Sequence, residues 1–474
     1  MRFTPPGRLR DAATFGAHWR ALTGDLDCID EPTGGDGPLG TSTEVFGRAV
    51  ANRFAIHPME GWDATSDGRP TDRTLRRWRR FGASGAKLIW GGEAWAVRPE
   101  GRANPSQLCT TSSAIAERSL ALLRGAVRDG ARELGDDPDQ LVIGLQMTHS
   151  GRWSRPSEAG SAPLVAASDG VLDARFHSVR VLTDGELREI ADGYVELAQV
   201  ARRTGFDFVD VKACHGYLIH ELLGARGRGG EFGGELANRA RLLLSIVERI
   251  RTACPGLGLG VRLSVGDVAP HRRDPATGVG RPEPGAERGF GRELEDGGEF
   301  ELSEPITVIR WLAERGVAAI SVTIGSPYTC PHVQRPAAYP PSDGYEPPRD
   351  PLLEVARHLR ATRAIKRTCA SCVIVGAGYT YLQEWLPHVA EHEVARGHVD
   401  FVGLGRMVLS YPTLPRDVLA RRPLDRRALC RTFSDCTSAP RNGLPSGCYP
   451  LDPHYRTSPE AARLARIKEE LRGA

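Results

Sequence analysis

Lys212, His215 and Tyr217 fall within one short run, Asp-Val-Lys-Ala-Cys-His-Gly-Tyr from Asp210 to Tyr217. An ammonium, an imidazole and a phenol held together can polarise a carbonyl oxygen and deliver a proton to a neighbouring carbon. A lysine at such a place also admits a Schiff base with a carbonyl compound. Other polar groups end or interrupt apolar runs in the same way: Gln146 in Gln-Met-Thr-His-Ser-Gly-Arg (146–152), and Arg262 within 257–265. Singly, each reads as an ordinary satisfied polar residue; together they read as one catalytic mouth. Gly376, Ala377 and Gly378, then Gly403, Gly405 and Arg406, form two glycine-rich turns near a cation, a pattern in which backbone amides hold a phosphate. The first lacks the third glycine of a dinucleotide-binding loop, since Tyr381 stands in its place.

The elements that must position these groups alternate regularly. Short apolar runs at 53–57, 86–92, 141–147, 206–212, 257–265, 317–325, 372–378 and 399–405 read as buried parallel strands. Longer amphipathic stretches such as 187–205 and 238–253 separate them as helices. Eight such units predict an α/β chain closed as a (β/α)8 TIM barrel, with the polar groups at the C-terminal strand ends where barrel ligands bind. Residues 1–45 read as an N-terminal arm, 46–425 as the barrel, 267–301 as a long surface insertion, and 426–474 as a cysteine-containing C-terminal tail. The Pro- and Tyr-rich stretch 328–350 follows a strand, so Tyr328, His332, Tyr339 and Tyr345 are placed to meet a ligand.

Composition narrows the function. With 474 residues, 40% of them hydrophobic, the chain can bury a core without disulfides or metal. A net charge of +3 gives no footing for nucleic acid or a membrane surface. The basic run Arg73–Arg80 reads as a solvated helix face. The start of the chain lacks an apolar leader, no stretch reaches a membrane span, and ten cysteines point to a reducing, cytoplasmic setting. The expected partner is a small-molecule substrate; the sequence does not set an oligomeric state.

The motifs NRFAIHPMEG (52–61), LQMTHSGR (145–152), CHGYLIHELL (214–223), FGGELANRAR (232–241), GVRLS (260–264) and DFVGLGRMVLSYP (400–412) resemble the old yellow enzyme, or NADH:flavin oxidoreductase, family. The tail is similar to those of trimethylamine dehydrogenase and 2,4-dienoyl-CoA reductase. The resemblance implies FMN as cofactor and NAD(P)H as electron donor, or a separate electron-supplying reductase, since the C-terminal nucleotide-binding module of those two relatives does not follow. It implies Pro58, Met59, Glu60 and Ala94 along the flavin ring and Gln146 at its pyrimidine edge. Arg262 would lie beside N1, and Gly376, Ala377, Gly378, Gly403, Gly405 and Arg406 at the phosphate. It implies reduction of an activated C=C bond, with hydride from flavin N5, a proton from Tyr217, and His215 with Lys212 on the substrate carbonyl.

Four departures qualify the resemblance. Lys212 replaces the family's usual histidine, and either donates to substrate or pairs with Asp210. Glu60 replaces a threonine or cysteine, and either pairs with Lys212 or acts on substrate. These two changes keep open an alternative, oxidation of an amine or ether. The loop at 226–230 retains only Arg228 of the usual pattern. In the tail, Cys430, Cys436 and Cys448 keep the frame of an iron–sulfur site, but Phe433 stands where the remaining thiolate belongs. Phenylalanine cannot ligate iron, so an intact [4Fe–4S] cluster is not expected. The alternatives are a packed remnant or a three-thiol zinc site completed by His454.

Overall fold

The structure is a computed structural model that describes residues 3–157, 162–285, 289–294, 298–342 and 344–473. Eight parallel strands form the barrel: β1 Phe54–Ile56, β2 Leu88–Ile89, β3 Val142–Thr148, β4 Phe208–Ala213, β5 Gly258–Ser264, β6 Ala319–Thr323, β7 Val373–Gly376 and β8 Phe401–Leu404. Each lies in one of the eight apolar runs. The sheet closes because β8 pairs with β1, Val402 opposite Phe54. A further short strand, Ala94–Ala96, adds to the far end of β3.

A helix follows each of the first seven strands: α1 Asp72–Gly82, α2 Ser113–Glu133, α3 Asp184–Arg203, α4 Leu236–Ala253, α5 Ser303–Glu314, α6 Pro351–Thr368 and α7 Leu386–Ala395. Their starts are written in local chemistry. Thr183 and Glu186 form a reciprocal capping box at α3, so two otherwise unpaired amides are satisfied. The helices bury apolar faces against the outside of the sheet, while Ala55, Leu88, Val142, Phe208 and Phe401 pack inside its lower end. A hairpin, Thr43–Val45 with Arg48–Val50, seals that end by stacking Phe46 on Phe208 at 4.2 Å. Gly144 is required there, since a Cβ on it would lie 2.2 Å from the Phe208 ring.

The ends of the chain are bound to the barrel. In the arm, the helix Ala12–Thr23 packs Phe15 on Trp385 at 5.3 Å. In the tail, the helices Asp435–Arg441 and Pro459–Gly473 flank a small core of Leu444, Tyr449, Tyr455 and Leu464. The basic run of α1 holds this tail, which corrects its reading as a solvated face. Arg76 makes a two-pronged bond to Asp452 at 2.9 Å, and Arg73 reaches Glu460 at 2.7 Å. Arg77 is buried against Asp63 and Glu93. The periodicity alone could not show that a partner segment lay more than 350 residues away. Among the described residues no helix is long and apolar enough to cross a membrane.

Candidate active site

A cavity opens at the C-terminal ends of the strands, and β4 supplies its chemistry. β4 ends at Ala213, and the chain then turns sharply: His215 has φ 66° and Gly216 φ 76°. That strained turn is held from both sides. The His215 amide donates to Ser264 Oγ at 3.1 Å, and Ser326 Oγ donates to the His215 carbonyl at 2.9 Å. Lys212, His215 and Tyr217 thereby all line one cavity.

Lys212 bonds Glu60 Oε1 at 3.0 Å and lies 4.0 Å above the Tyr217 ring. Of the two pairings open in the sequence, Lys212 therefore takes Glu60 and not Asp210. Glu60 also accepts from the Trp62 indole. Asp210 is instead fully enclosed, accepting from Trp90 Nε1 at 2.9 Å, Gln146 Nε2 at 2.6 Å and the Arg262 amide at 2.6 Å. Burial pushes its carboxyl up to about 6 despite those donors.

Tyr217 donates to or accepts from Tyr328 at 2.9 Å. Burial, followed by the Glu60 charge, holds the Tyr217 phenol well above its ordinary range, so it keeps a proton to deliver. Burial, reinforced by Arg262 and Lys212, holds His215 well below its ordinary value, so its ring is neutral. Gln334 meets His215 Nε2 with its side-chain amide at 3.2 Å.

The residues present suit FMN. Pro58 and Met59 offer an apolar wall and Gln146 an amide edge. The Arg262 Nε is buried with no partner, an unspent donor in a cavity wall. Ala377, Gly378, Gly403, Gly405 and Arg406 line the same cavity, with Gly378 at φ 94°, where a side chain would also press on His358. Arg335, half-buried beside them, adds a second guanidinium that suits a phosphate dianion. Two of the expected residues do not line the cavity. Ala94 lies under β3, its carbonyl accepting from Gln107 at 2.8 Å, and Gly376 ends β7 without reaching the cavity.

The tail completes the wall. Cys436, Thr437, Pro440, Arg441 and Ser446 line the cavity, with Arg335 bonding Thr437 across it. Sequence reasoning missed this cover, and also Trp62 and Gln334. Cys430, Cys436 and Cys448 do not all bring their sulfurs within 4.8 Å of one another. Phe433 turns outward and stacks on Tyr339 at 5.2 Å, which takes Tyr339 away from the ligand. His332 and Tyr345 bond each other at 2.8 Å. Among the described residues one potential metal group exists, His392, Glu393 and His398, and Arg363 already occupies its carboxylate.

Comparison with known proteins agrees with this geometry. Residues 46–277 match the NADH:flavin oxidoreductase / NADH oxidase family. The chain is 27% identical over 325 residues to an NADPH dehydrogenase of Halalkalibacterium halodurans, covering 68% of this chain and 80% of that protein. Its fold is shared with an old yellow enzyme homologue from Zymomonas mobilis, at a TM-score of 0.58 and 21% identity over 81% of this chain and 93% of that one. It is also shared with a 2-naphthoyl-CoA reductase in complex with 2-naphthoyl-CoA, at a TM-score of 0.67 and 20% identity. There the match takes in 88% of this chain but only 57% of that one. Over residues 46–277 the chain thus resembles the NADH:flavin oxidoreductase / NADH oxidase family, and its cavity and its NADPH dehydrogenase relatives together mark it as an FMN-dependent oxidoreductase.

Proposed function

We propose that the enzyme reduces a C=C bond conjugated to a carbonyl. The observation that carries this reading is the convergence of a protonated phenol, Tyr217, with the neutral His215 and the cationic Lys212 at the end of a single strand. Bound FMN supplies the two-electron exchange. Pro58, Met59, Gln146, Arg262, Ala377, Gly378, Gly403 and Gly405 would hold it, and Arg262 would balance negative charge on its ring. His215 donates a hydrogen bond to the substrate carbonyl oxygen, and the nearby ammonium of Lys212 stabilises the charge that grows there. Tyr217 passes its hydroxyl proton to the carbon next to the carbonyl, and Tyr328 supports the phenol during the transfer.

Charge weighs against the amine alternative. Lys212, Arg262, Arg335 and Arg406 line the cavity, and its one carboxylate, Glu60, is already engaged by Lys212 and Trp62. An ammonium substrate would find no free carboxylate to meet it. The same ion pair weighs against a Schiff base at Lys212, which requires a free amine.

The test is an anaerobic spectrum. NAD(P)H bleaches the flavin band of the purified protein, and an enone restores it. In Tyr217→Phe the bleaching is retained, while recovery slows about a hundredfold or more. Bleaching by an amine, with no recovery on enone, would overturn the proposal.

A further inference from the structure

Gln334 takes no part in the reaction above, yet it bears on His215. It ends the short helix Pro331–Gln334, and Arg335 follows it. That turn is held in place: His358 Nε2 donates to the Val333 carbonyl at 3.0 Å, and the Arg335 amide donates to the Pro331 carbonyl at 2.8 Å. The same loop grips His215 twice. Ser326 Oγ bonds its carbonyl, and the Gln334 side-chain amide lies 3.2 Å from its ring Nε2.

Arg335 decides which end of the Gln334 amide faces the ring. Its Nε donates to Gln334 Oε1 at 3.1 Å. A guanidinium only donates, so the atom it meets is the amide oxygen. The atom facing His215 is then the amide nitrogen, which donates. Nε2 must accept that bond, so it carries no proton. Burial, followed by the charges of Arg262 and Lys212, keeps the ring neutral. A neutral imidazole has one proton, and here it sits on Nδ1. Among the described residues the other bonds of His215 are made by its backbone, which leaves Nδ1–H for a ligand. Arg335 is itself anchored, since its Nη1 donates to Thr437 Oγ1 in the tail.

Resting on the reductase reading above, we propose that Gln334 is a positioning residue for that reaction: oriented by Arg335, it holds the His215 proton on Nδ1, so that Nδ1 and not Nε2 donates to the substrate carbonyl oxygen. A ring with its proton on Nε2 would turn a lone pair toward that oxygen and repel the charge that grows on it. The dependence runs inward from the tail, from Thr437 to Arg335 to Gln334 to His215.

The experiment uses the FMN-loaded full chain, labelled with nitrogen-15 histidine, as the parent protein and as the variants Gln334→Glu and Gln334→Met. Gln334→Glu offers the ring only acceptors and draws its proton to Nε2. Gln334→Met keeps the length of the side chain and bonds neither ring nitrogen. Nitrogen spectra at about pH 9, above the titration of an ordinary imidazole, separate protonated from bare ring nitrogens. His215→Asn identifies the His215 signals among the 13 histidines. The parent should show the proton on Nδ1, and Gln334→Glu should show it on Nε2. With the flavin reduced by light, reoxidation by cyclohexenone should slow about tenfold or more in Gln334→Glu, the worth of one hydrogen bond to a developing charge. It should slow about threefold or less in Gln334→Met, whose ring can still place its proton on Nδ1. A parent protein with the proton on Nε2, or equal slowing in the two variants, would overturn the proposal. A proton that moves as expected in proteins that no enone reoxidises, the parent included, would uphold the tautomer and sink the reductase reading, so the two failures are distinguishable.

Discussion

Lys212 donates to Glu60 across 3.0 Å, tying the end of β4 to the segment after β1. Both side chains are shielded from solvent, at 4% and 18% exposure. Each therefore depends on the other for compensation of its charge.

Lys212→Met leaves the Glu60 carboxylate with only the Trp62 indole. Breaking one side of such a pair is expected to cost about 2–4 kcal/mol, read as a lower denaturant midpoint of the apoprotein. The double variant Lys212→Met/Glu60→Gln recovers most of that loss, because it leaves no stranded charge. Equal destabilisation of the single and double variants would show that the pair is not coupled.

Tyr328→Phe removes the hydroxyl that meets Tyr217 at 2.9 Å while leaving a ring to stack on Trp153. Flavin content and the rate of bleaching by NAD(P)H should hold. Recovery on enone should slow about tenfold, less than for Tyr217→Phe, since the phenol that gives up the proton is still present. Stopped-flow traces of the two half-reactions separate these effects.

Asp210 gives the fold a pH dependence of known sign. Its folded carboxyl stands at about 6 against an ordinary 3.8, raised by burial. The folded form therefore holds its proton more tightly than the unfolded chain. The stability gained is fully present below 3.8 and is lost as pH rises through 6, up to about 3 kcal/mol in all. Asp210→Asn removes this dependence. Unfolding midpoints from pH 4.5 to 7.5 should show the wild-type protein losing ground relative to the variant as pH rises, whatever their difference at the start.

Arg76→Ala removes the two-pronged hold on Asp452, which is itself 2% exposed. The tail should become the first site of limited proteolysis, with the barrel left intact. Because Thr437, Pro440 and Arg441 lie in the cavity wall, the KM for substrate should rise with the same variant.

The barrel was readable because its strands are covered on both faces, so several are nearly continuous apolar runs in which a polar residue stands out. Lys212, His215, Tyr217, Gln146 and Arg262 were found for that reason, and all five line the cavity. Contacts set by side-chain packing were not readable. Ala94 and Gly376 do not line the cavity. The choice between Asp210 and Glu60 for Lys212 depended on Trp90, Gln146 and Arg262 filling the Asp210 oxygens first. The packing of the tail was open in the sequence but its partners were not, because Asp452, Glu460 and Thr437 meet residues far away in the chain.

That tail has a consequence for how the enzyme is made. Gly403 and Gly405, the last of the glycine turns, precede Cys436 by about thirty residues, and the segment from Cys436 to Ser446 is the final part of the cavity wall to leave the ribosome. Chains fold from the N-terminus as they are synthesised. The nascent barrel thus completes every strand end around the cavity while its roof is still missing. A cofactor loaded in that interval meets an open bowl; one loaded afterwards meets a wall that includes the helix Asp435–Arg441, held by the Arg335–Thr437 and Lys468–Asp435 bonds.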